Sequence, residues 1–271
     1  MGLYTILRKG YHLFPDGDLK RFLTGMVYRT LYGRFLLSYS YDKVKGLWRV
    51  VTRDGITLLS LKDFDPAPLM EEEIQSLSLG ENVLDLGGNI GMVAIYMARK
   101  VGASGHVWVY EPDRKNQQLL QQHLEVNGVE NVTLVPSGVW SEEGVLSFFE
   151  GGTYTSSFVK TNYIEESPSQ YEMTQLPVVT LDGEYLLRGW RRLDFVKMDI
   201  EGSEYEALKG AKRMLMELSP RLLIETHETN GEVTAGAVRA FLESLGYEVK
   251  EKSHKDFPTL YAWKNESRRQ Q

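Results

Sequence analysis

Between Asp18 and Leu31 the apolar residues Leu19, Phe22, Leu23, Met26, Val27 and Leu31 recur at i, i+3, i+4 and i+7. That period predicts an amphipathic helix, with Asp16 or Asp18 available as its N-cap. Lys20, Arg21 and Arg29 fall off the stripe. "LWRVVTRDGITLLSL" then reads as a hairpin, two β-rich runs joined around Asp54-Gly55.

The rhythm changes at Glu81. "ENVLDL", "HVWVYEP", "NVTLVPSG", "LDFVKMDIEG" and "PRLLIETH" read as strands separated by helical segments, among them "NIGMVAIYMARKVG", "DRKNQQLLQQHLEVNG", a helix to about Leu218 and one from about Glu232 to Leu245. Strands alternating with helices of this length imply right-handed crossovers and a doubly wound, mostly parallel sheet, the α/β class. "YEVKEKS" and "TLYAWKN" are joined by too few residues for a crossover, so they should form a terminal antiparallel hairpin. Residues 141–181 fit less well and read as short strands around a long excursion.

Composition narrows the chemistry. The 271 residues are 42% hydrophobic and 25% charged, as in an ordinary globular chain, and include no cysteine. Disulfides, thiolate zinc sites, cysteine nucleophiles and iron–sulfur clusters held by this chain are thereby excluded. No apolar run reaches membrane-spanning length, and "MGLYTILRKGYHLF" lacks a signal h-region, so the expected location is cytoplasmic. The net charge of −6 is uneven: residues 1–62 hold eleven Lys/Arg against four Asp/Glu, a balance of +7. The chain therefore divides into a basic, aromatic-rich arm with a hairpin (1–62), an acidic α/β domain (63–265) and a polar tail (266–271).

"VLDLGGNIG" is a strand, a glycine turn and a helix start, the arrangement that brings backbone amides close to a ligand. Twenty residues after Gly91 stands Glu111, where an open sheet places an acid for ribose hydroxyls. The pair points to an adenosine-bearing ligand. Leu86 occupies the place of the first dinucleotide-fingerprint glycine, and Asp85 would repel a pyrophosphate but welcome the cationic end of S-adenosylmethionine. An NAD-dependent oxidoreductase is thus the last choice.

"VLDLGGNIG", "VYEPD", "TLDGEYL", "DFVKMDIEGSEYEALKGA" and "PRLLIETH" together resemble, in order and spacing, the FkbM-type family of S-adenosylmethionine-dependent O-methyltransferases. The resemblance runs from about Trp48 onward and is most specific in "KMDIEGSE". It implies the seven-stranded class I methyltransferase sheet, order 3-2-1-4-5-7-6. It also implies that Gly87, Asn89 and Gly91, with Gly88 in the same turn, hold the methionine portion, Glu111 the ribose, and Ser137, Gly138 and Val139 the adenine edge.

"KMDIEGSE" ends a buried strand in charge. Lys197, Asp199 and Glu201 alternate onto one side, and the next strand delivers Glu225 and His227 to the same edge. Asp199 is expected beside the sulfonium. A hydroxyl acceptor needs a base, for which Asp199, Glu225 and His227 are candidates; His227 is preferred because its unperturbed pKa lies nearest neutrality. Lys197 is a further catalytic candidate, or else neutralises the acidic edge by pairing with a neighbour, and Glu204 is expected to suit a helix N-terminus. No metal is expected; were a divalent ion held, Asp199, Glu201, Glu225 and His227 would supply its ligands. Catechol-type enzymes of this fold use an Asp and an Asp-Asn pair there, and the Glu-Thr-His of this chain departs from that.

The loop Glu150–Gln175 is long enough to shape an acceptor site, and its three tyrosines could stack on a ring. The arm admits three partners: a membrane surface met by a basic amphipathic helix, RNA, or the catalytic domain or a second subunit of a homodimer. The function expected is O-methylation of a hydroxyl on a glycan sugar or small metabolite. RNA methylation through the arm is the alternative within the class, and a non-catalytic cofactor-binding module the alternative outside it.

Overall fold

A computed structural model of the chain describes residues 17–150, 156–160, 164, 168–229, 232–252 and 258–265. Tyr4, Tyr11, Phe14, Asp16, Tyr154, Tyr163 and the tail 266–271 lie outside the described residues.

The arm begins with helix α1 (Asp18–Leu31), followed by strands β1 (Leu36–Asp42), β2 (Leu47–Thr52) and β3 (Thr57–Ser60) in one antiparallel sheet. β2 and β3 are the predicted hairpin. β1 adds a third strand to the expected hairpin: Ser38–Asp42 alternates polar and aromatic residues, and the register shift between Leu36 and Ser38 interrupts the period of two only at its start. The helix also rests on an unexpected face. Thr24, Gly25 and Tyr28 are buried against the sheet, whereas Leu19, Phe22 and Met26 of the predicted stripe are exposed. Gly25 permits this: a Cβ there would stand 2.5 Å from the Tyr39 carbonyl oxygen. Close backbone approach, not apolar content, chose the contact face.

A 3₁₀ turn (Ala67–Met70) and the short α2 (Glu72–Gln75) lead into the α/β domain. Its first units are β4 (Asn82–Leu86), α3 (Met92–Val101), β5 (His106–Tyr110), α4 (Arg114–Asn127) and β6 (Val132–Val135). The excursion at 141–181 is a small sheet of β7 (Gly138–Val139), β8 (Gly144–Glu150) and β9 (Glu172–Val179), then α5 (Leu181–Arg188). α5 was not predicted, although Thr180 caps it by accepting from the Gly183 N–H at 3.0 Å.

The rest comprises β10 (Phe195–Met198), α6 (Glu204–Lys209), α7 (Lys212–Leu218), β11 (Arg221–Glu225), the short pair β12 (Glu228–Thr229) and β13 (Glu232–Val233), α8 (Ala235–Ser244), β14 (Glu248–Lys252) and β15 (Thr259–Trp263). The single helix expected after β10 is two. Gly210 separates them, pressed so close to the Trp140 carbonyl that a Cβ would lie 2.2 Å from its oxygen. Likewise α8 starts at Ala235 rather than Glu232, because β12 and β13 pair first.

The main sheet runs β14-β15-β11-β10-β4-β5-β6. Only β15 lies antiparallel to its neighbours, β11 and β14; the other pairs are parallel. β10 is buried at every position, as befits a central strand with both faces covered. The change of composition at residue 62 is not a break in the core. Tyr39, Trp48, Val50 and Leu58 of the arm share one apolar cluster with Ile95, Tyr96 and Met97 of α3. Polar bonds stitch the same join: Asn127 bonds the N–H and C=O of Leu59, and Tyr96 donates to Asp54.

Tyr39 concentrates that join, its hydroxyl donating to the Phe64 carbonyl at 2.8 Å and accepting from the Phe64 N–H at 2.9 Å. Tyr39→Phe should lower stability by about 1–3 kcal/mol, the cost of leaving two buried backbone groups unpaired. Urea unfolding should show this as one cooperative transition with a shifted midpoint.

Candidate active site

The carboxyl ends of β4, β5, β10 and β11 open into one cavity of about 1290 Å³. Doubly wound sheets place ligands at this edge, where strand order reverses. Gly87, Gly88 and Asn89 line it from the turn after β4, Glu111 from the end of β5, and Ser137, Gly138 and Val139 from the β6–β7 turn.

The glycine turn is needed to form that wall. Gly87 has φ +85° and lies so near β10 that a Cβ would stand 1.9 Å from the Asp199 carbonyl oxygen. Asn89, at φ 48°, turns its N–H onto Glu111 Oε2 at 2.6 Å. The Asp113 N–H donates to the other oxygen, Oε1, at 2.9 Å. Burial pushes the Glu111 carboxyl up to about 8, with those backbone donors pulling the other way. Gly91 stands back from the wall as the N-cap of α3, against Leu120.

Asp85 was expected to face the ligand. Instead it is wholly buried beneath the cavity, outside its lining, and neither oxygen has a hydrogen bond among the described residues. Its neighbour is the Lys197 ammonium at 3.5 Å, which also lies 3.4 Å from Asp199 and donates to the Gly87 carbonyl at 3.3 Å. Burial lifts Asp85 to about 6, with Lys197 holding it down. Burial alone would pull Lys197 down; Asp199 and Asp85 reverse this and fix it as a cation well above its ordinary value. Lys197 is therefore a clamp between β4 and β10, and cannot accept a proton.

Beyond it the edge is crowded with acid. Burial pushes Asp199 up, but Lys197 and His227 outweigh it and leave the carboxyl below its ordinary value. Glu201 is lifted to about 8 by burial and by neighbouring carboxylates, against His227. Glu225 is exposed to the cavity and raised to about 7, first by the Asp199 charge and then by burial.

His227 corrects an expectation. It is buried, with Nδ1 2.8 Å from Glu204 Oε1 and Nε2 at 3.6 Å from Asp199 and 3.8 Å from Glu201. Burial lowers its pKa, but Glu204, Asp199 and Glu201 carry it up to about 10. Its unperturbed value, the ground for preferring it as base, does not survive this surrounding. Glu225 is the member of the trio that combines access with a pKa near neutrality.

Sequence reasoning missed two features. Glu204 does sit in the first turn of α6 and accepts the Gly202 N–H, yet the same carboxylate bonds His227 and the Thr234 hydroxyl. An acid at a helix start carries no signal of a histidine 23 positions on. The other feature is the arm: Tyr28 and Leu31 of α1 and Tyr32 just after it, with Phe64 and Met70, form an apolar and aromatic wall of the same cavity. Lys252 closes that side, bonding Glu71 and Glu73 from β14.

The strand order read from β6 to β14 is 3-2-1-4-5-7-6, and with a glycine turn after the first strand and an acid after the second it defines a class I methyltransferase, whose cofactor is S-adenosylmethionine. A sequence model of the methyltransferase FkbM domain matches residues 85–249, and the chain belongs to that family. It is 24% identical over 203 residues to "Methyltransferase 1" of Beauveria bassiana (strain ARSEF 2860), covering 69% of this chain and 77% of the relative. It is 27% identical over 203 residues to "Methyltransferase sdnD" of Sordaria araneosa, covering 65% and 77%. Among solved structures, methyltransferase FkbM from Methylobacillus flagellatus KT aligns with a TM-score of 0.48 at 18% identity. That alignment covers 96% of this chain and 58% of the other protein's length.

The residues present fit the cofactor. Glu111 is pinned by backbone donors at the cavity wall, an acceptor for a diol, and the carboxylates beside it suit a sulfonium and an ammonium rather than a pyrophosphate. Two results are expected. Ribose hydroxyls bond the carboxylate form of Glu111, which carries a proton below about pH 8 in the free protein. Binding of S-adenosylhomocysteine should therefore release a proton at pH 7 and tighten as pH rises to about 8, measured by calorimetry in buffers of different ionisation enthalpy. Lys197→Met leaves two carboxylates without their cation and should cost about 3–5 kcal/mol in urea unfolding.

Proposed function

We propose that the chain transfers the methyl group of S-adenosylmethionine to a hydroxyl oxygen, on a sugar of a glycan or on a small metabolite. The observation that carries this is Glu225, open to the cavity with its pKa raised to about 7 and lining the same space as the glycine turn, Glu111 and the arm's aromatic residues.

The bound cofactor supplies an electrophilic methyl on a positively charged sulfur. The chain's own residues do the rest. Glu225 accepts the hydroxyl proton as the oxygen becomes nucleophilic, a role for which a base near the working pH is best matched. Lys197 keeps Asp199 ionised and the ends of β4 and β10 in register, which positions the reacting groups. Tyr28, Tyr32 and Phe64 line the part of the cavity left for the acceptor's body. Asp63, Asp65, Glu71 and Glu72 also line the cavity, and so acidic a mouth would repel a phosphate backbone. This favours an uncharged hydroxyl acceptor over RNA.

Glu225→Gln keeps the shape and removes the base. Transfer to hydroxyl acceptors should fall by about 10²–10⁴-fold, while S-adenosylhomocysteine binds as before. An unchanged rate in a radiolabelled-methyl assay would remove Glu225 from the mechanism. Glycan and small-molecule hydroxyls are the first acceptors to assay, with RNA as the comparison.

A further inference from the structure

Asp199, Glu201 and His227 each bring one potential ligand atom into a single cluster, the three atoms lying within 4.8 Å of one another. Two stretches supply them: Asp199 at the end of β10 and Glu201 in the turn just after it, and His227 from beyond the end of β11. Glu201 sits there at φ 52°, a left-handed conformation rare outside glycine. None of the three is freely exposed; His227 is buried and both carboxylates are half-buried.

The histidine distinguishes this group from a patch of surface acid. Its Nδ1 is taken up by Glu204 at 2.8 Å, and Glu204 is itself fixed by the Thr234 hydroxyl and the Gly202 N–H. A carboxylate behind one ring nitrogen sets the tautomer and aims the other nitrogen, the arrangement that metal-ligating histidines use. Nε2 is the nitrogen aimed, at 3.6 Å from Asp199 Oδ1 and 3.8 Å from Glu201 Oε2. Around an ion with bonds of about 2.1 Å, neighbouring ligand atoms stand about 3.0 Å apart in an octahedron and about 3.4 Å in a tetrahedron. The two separations thus need to close by less than about 1 Å.

A separate observation points the same way. Ser203 lines the same cavity, is 1% exposed, and its Oγ has no hydrogen-bond partner among the described residues. An oxygen so buried needs a partner, and a water carried by an ion in this cavity, two residues along the chain from Glu201, would be one.

We propose that Asp199, Glu201 and His227 form a binding site for a divalent cation of the Mn²⁺ class, oriented by Glu204. Two carboxylates and one imidazole make a hard-to-borderline donor set, suited to Mn²⁺ and similar ions. Glu225 falls outside the trio and keeps its access to the cavity; an ion on Asp199 would offset the charge that raises it, so its carboxylate would meet an acceptor oxygen already polarised by the ion. The ion would take the acceptor's hydroxyl oxygen in an open position and make its proton easier to remove. That role rests on the hydroxyl-transfer reading; the binding of the ion does not.

The experiment is titration of the chelator-treated full chain with Mn²⁺, followed by calorimetry and by loss of the free-ion paramagnetic signal. S-adenosylhomocysteine affinity is measured on the same samples. One Mn²⁺ per chain is expected. Glu201→Gln and His227→Gln should weaken it by at least about tenfold, and the positioning variant Glu204→Gln by about 10–100-fold. S-adenosylhomocysteine should still bind all three variants, which shows that they fold. A chain that binds S-adenosylhomocysteine but no Mn²⁺ overturns the proposal, and identifies a proton on His227 as the charge among these carboxylates. Mn²⁺ binding indifferent to all three substitutions overturns it equally. Failure to bind S-adenosylhomocysteine with Mn²⁺ binding intact counts against the transfer reading alone.

Discussion

One ammonium holds the reactive edge together. Lys197 rises from a fully buried strand between two carboxylates, one beneath the cavity and one at its wall. Without it Asp85 would be a buried charge facing another charge, and the β4 and β10 ends that carry the glycine turn and Asp199 would repel each other. A buried ion pair is poor evidence of net stability, because desolvation cancels much of the attraction. Its effect here is positional. The Gly87 carbonyl and the Asp199 side chain are both tied to one nitrogen, so the two strand ends cannot move independently.

Outward from that clamp the side chains are mostly acidic. Asp199, Glu201, Glu204 and Glu225 converge from two strand ends with His227 among them. A sheet edge so charged repels itself, and the structure bears that cost where the chemistry is placed. It also explains why intrinsic pKa values mislead here. Glu204, Asp199 and Glu201 lift His227 out of the physiological range, and Asp199, with burial, lifts Glu225 into it.

Much of the architecture was legible in the sequence. The alternation of apolar strands and amphipathic helices gave the parallel sheet, and the short link between "YEVKEKS" and "TLYAWKN" gave its antiparallel end. What escaped notice depended on contacts distant in sequence. α1 chose a glycine face set by Tyr39, and α6 and α7 parted where Gly210 meets Trp140. The site followed the same rule. Asp199, Glu201, Glu225 and His227 could be assigned to one edge because strand ends converge there. Asp85 was assigned by the sign of its charge, and its depth beneath the cavity could not be read from position. Glu204 looked like a helix-start acid, which it is, and nothing local announces its second bond.

The cavity wall divides in sequence as well as in space. The glycine turn, Glu111 and the charged strand ends fall inside residues 85–249, the stretch shared across the family. The aromatic wall of Tyr28, Leu31, Tyr32, Phe64 and Met70 lies wholly before it. The cavity's glycine turn and charged strand ends and its aromatic wall are thus written in separable segments. A change in the early segment can remodel that wall while leaving the strand-end motifs as they are.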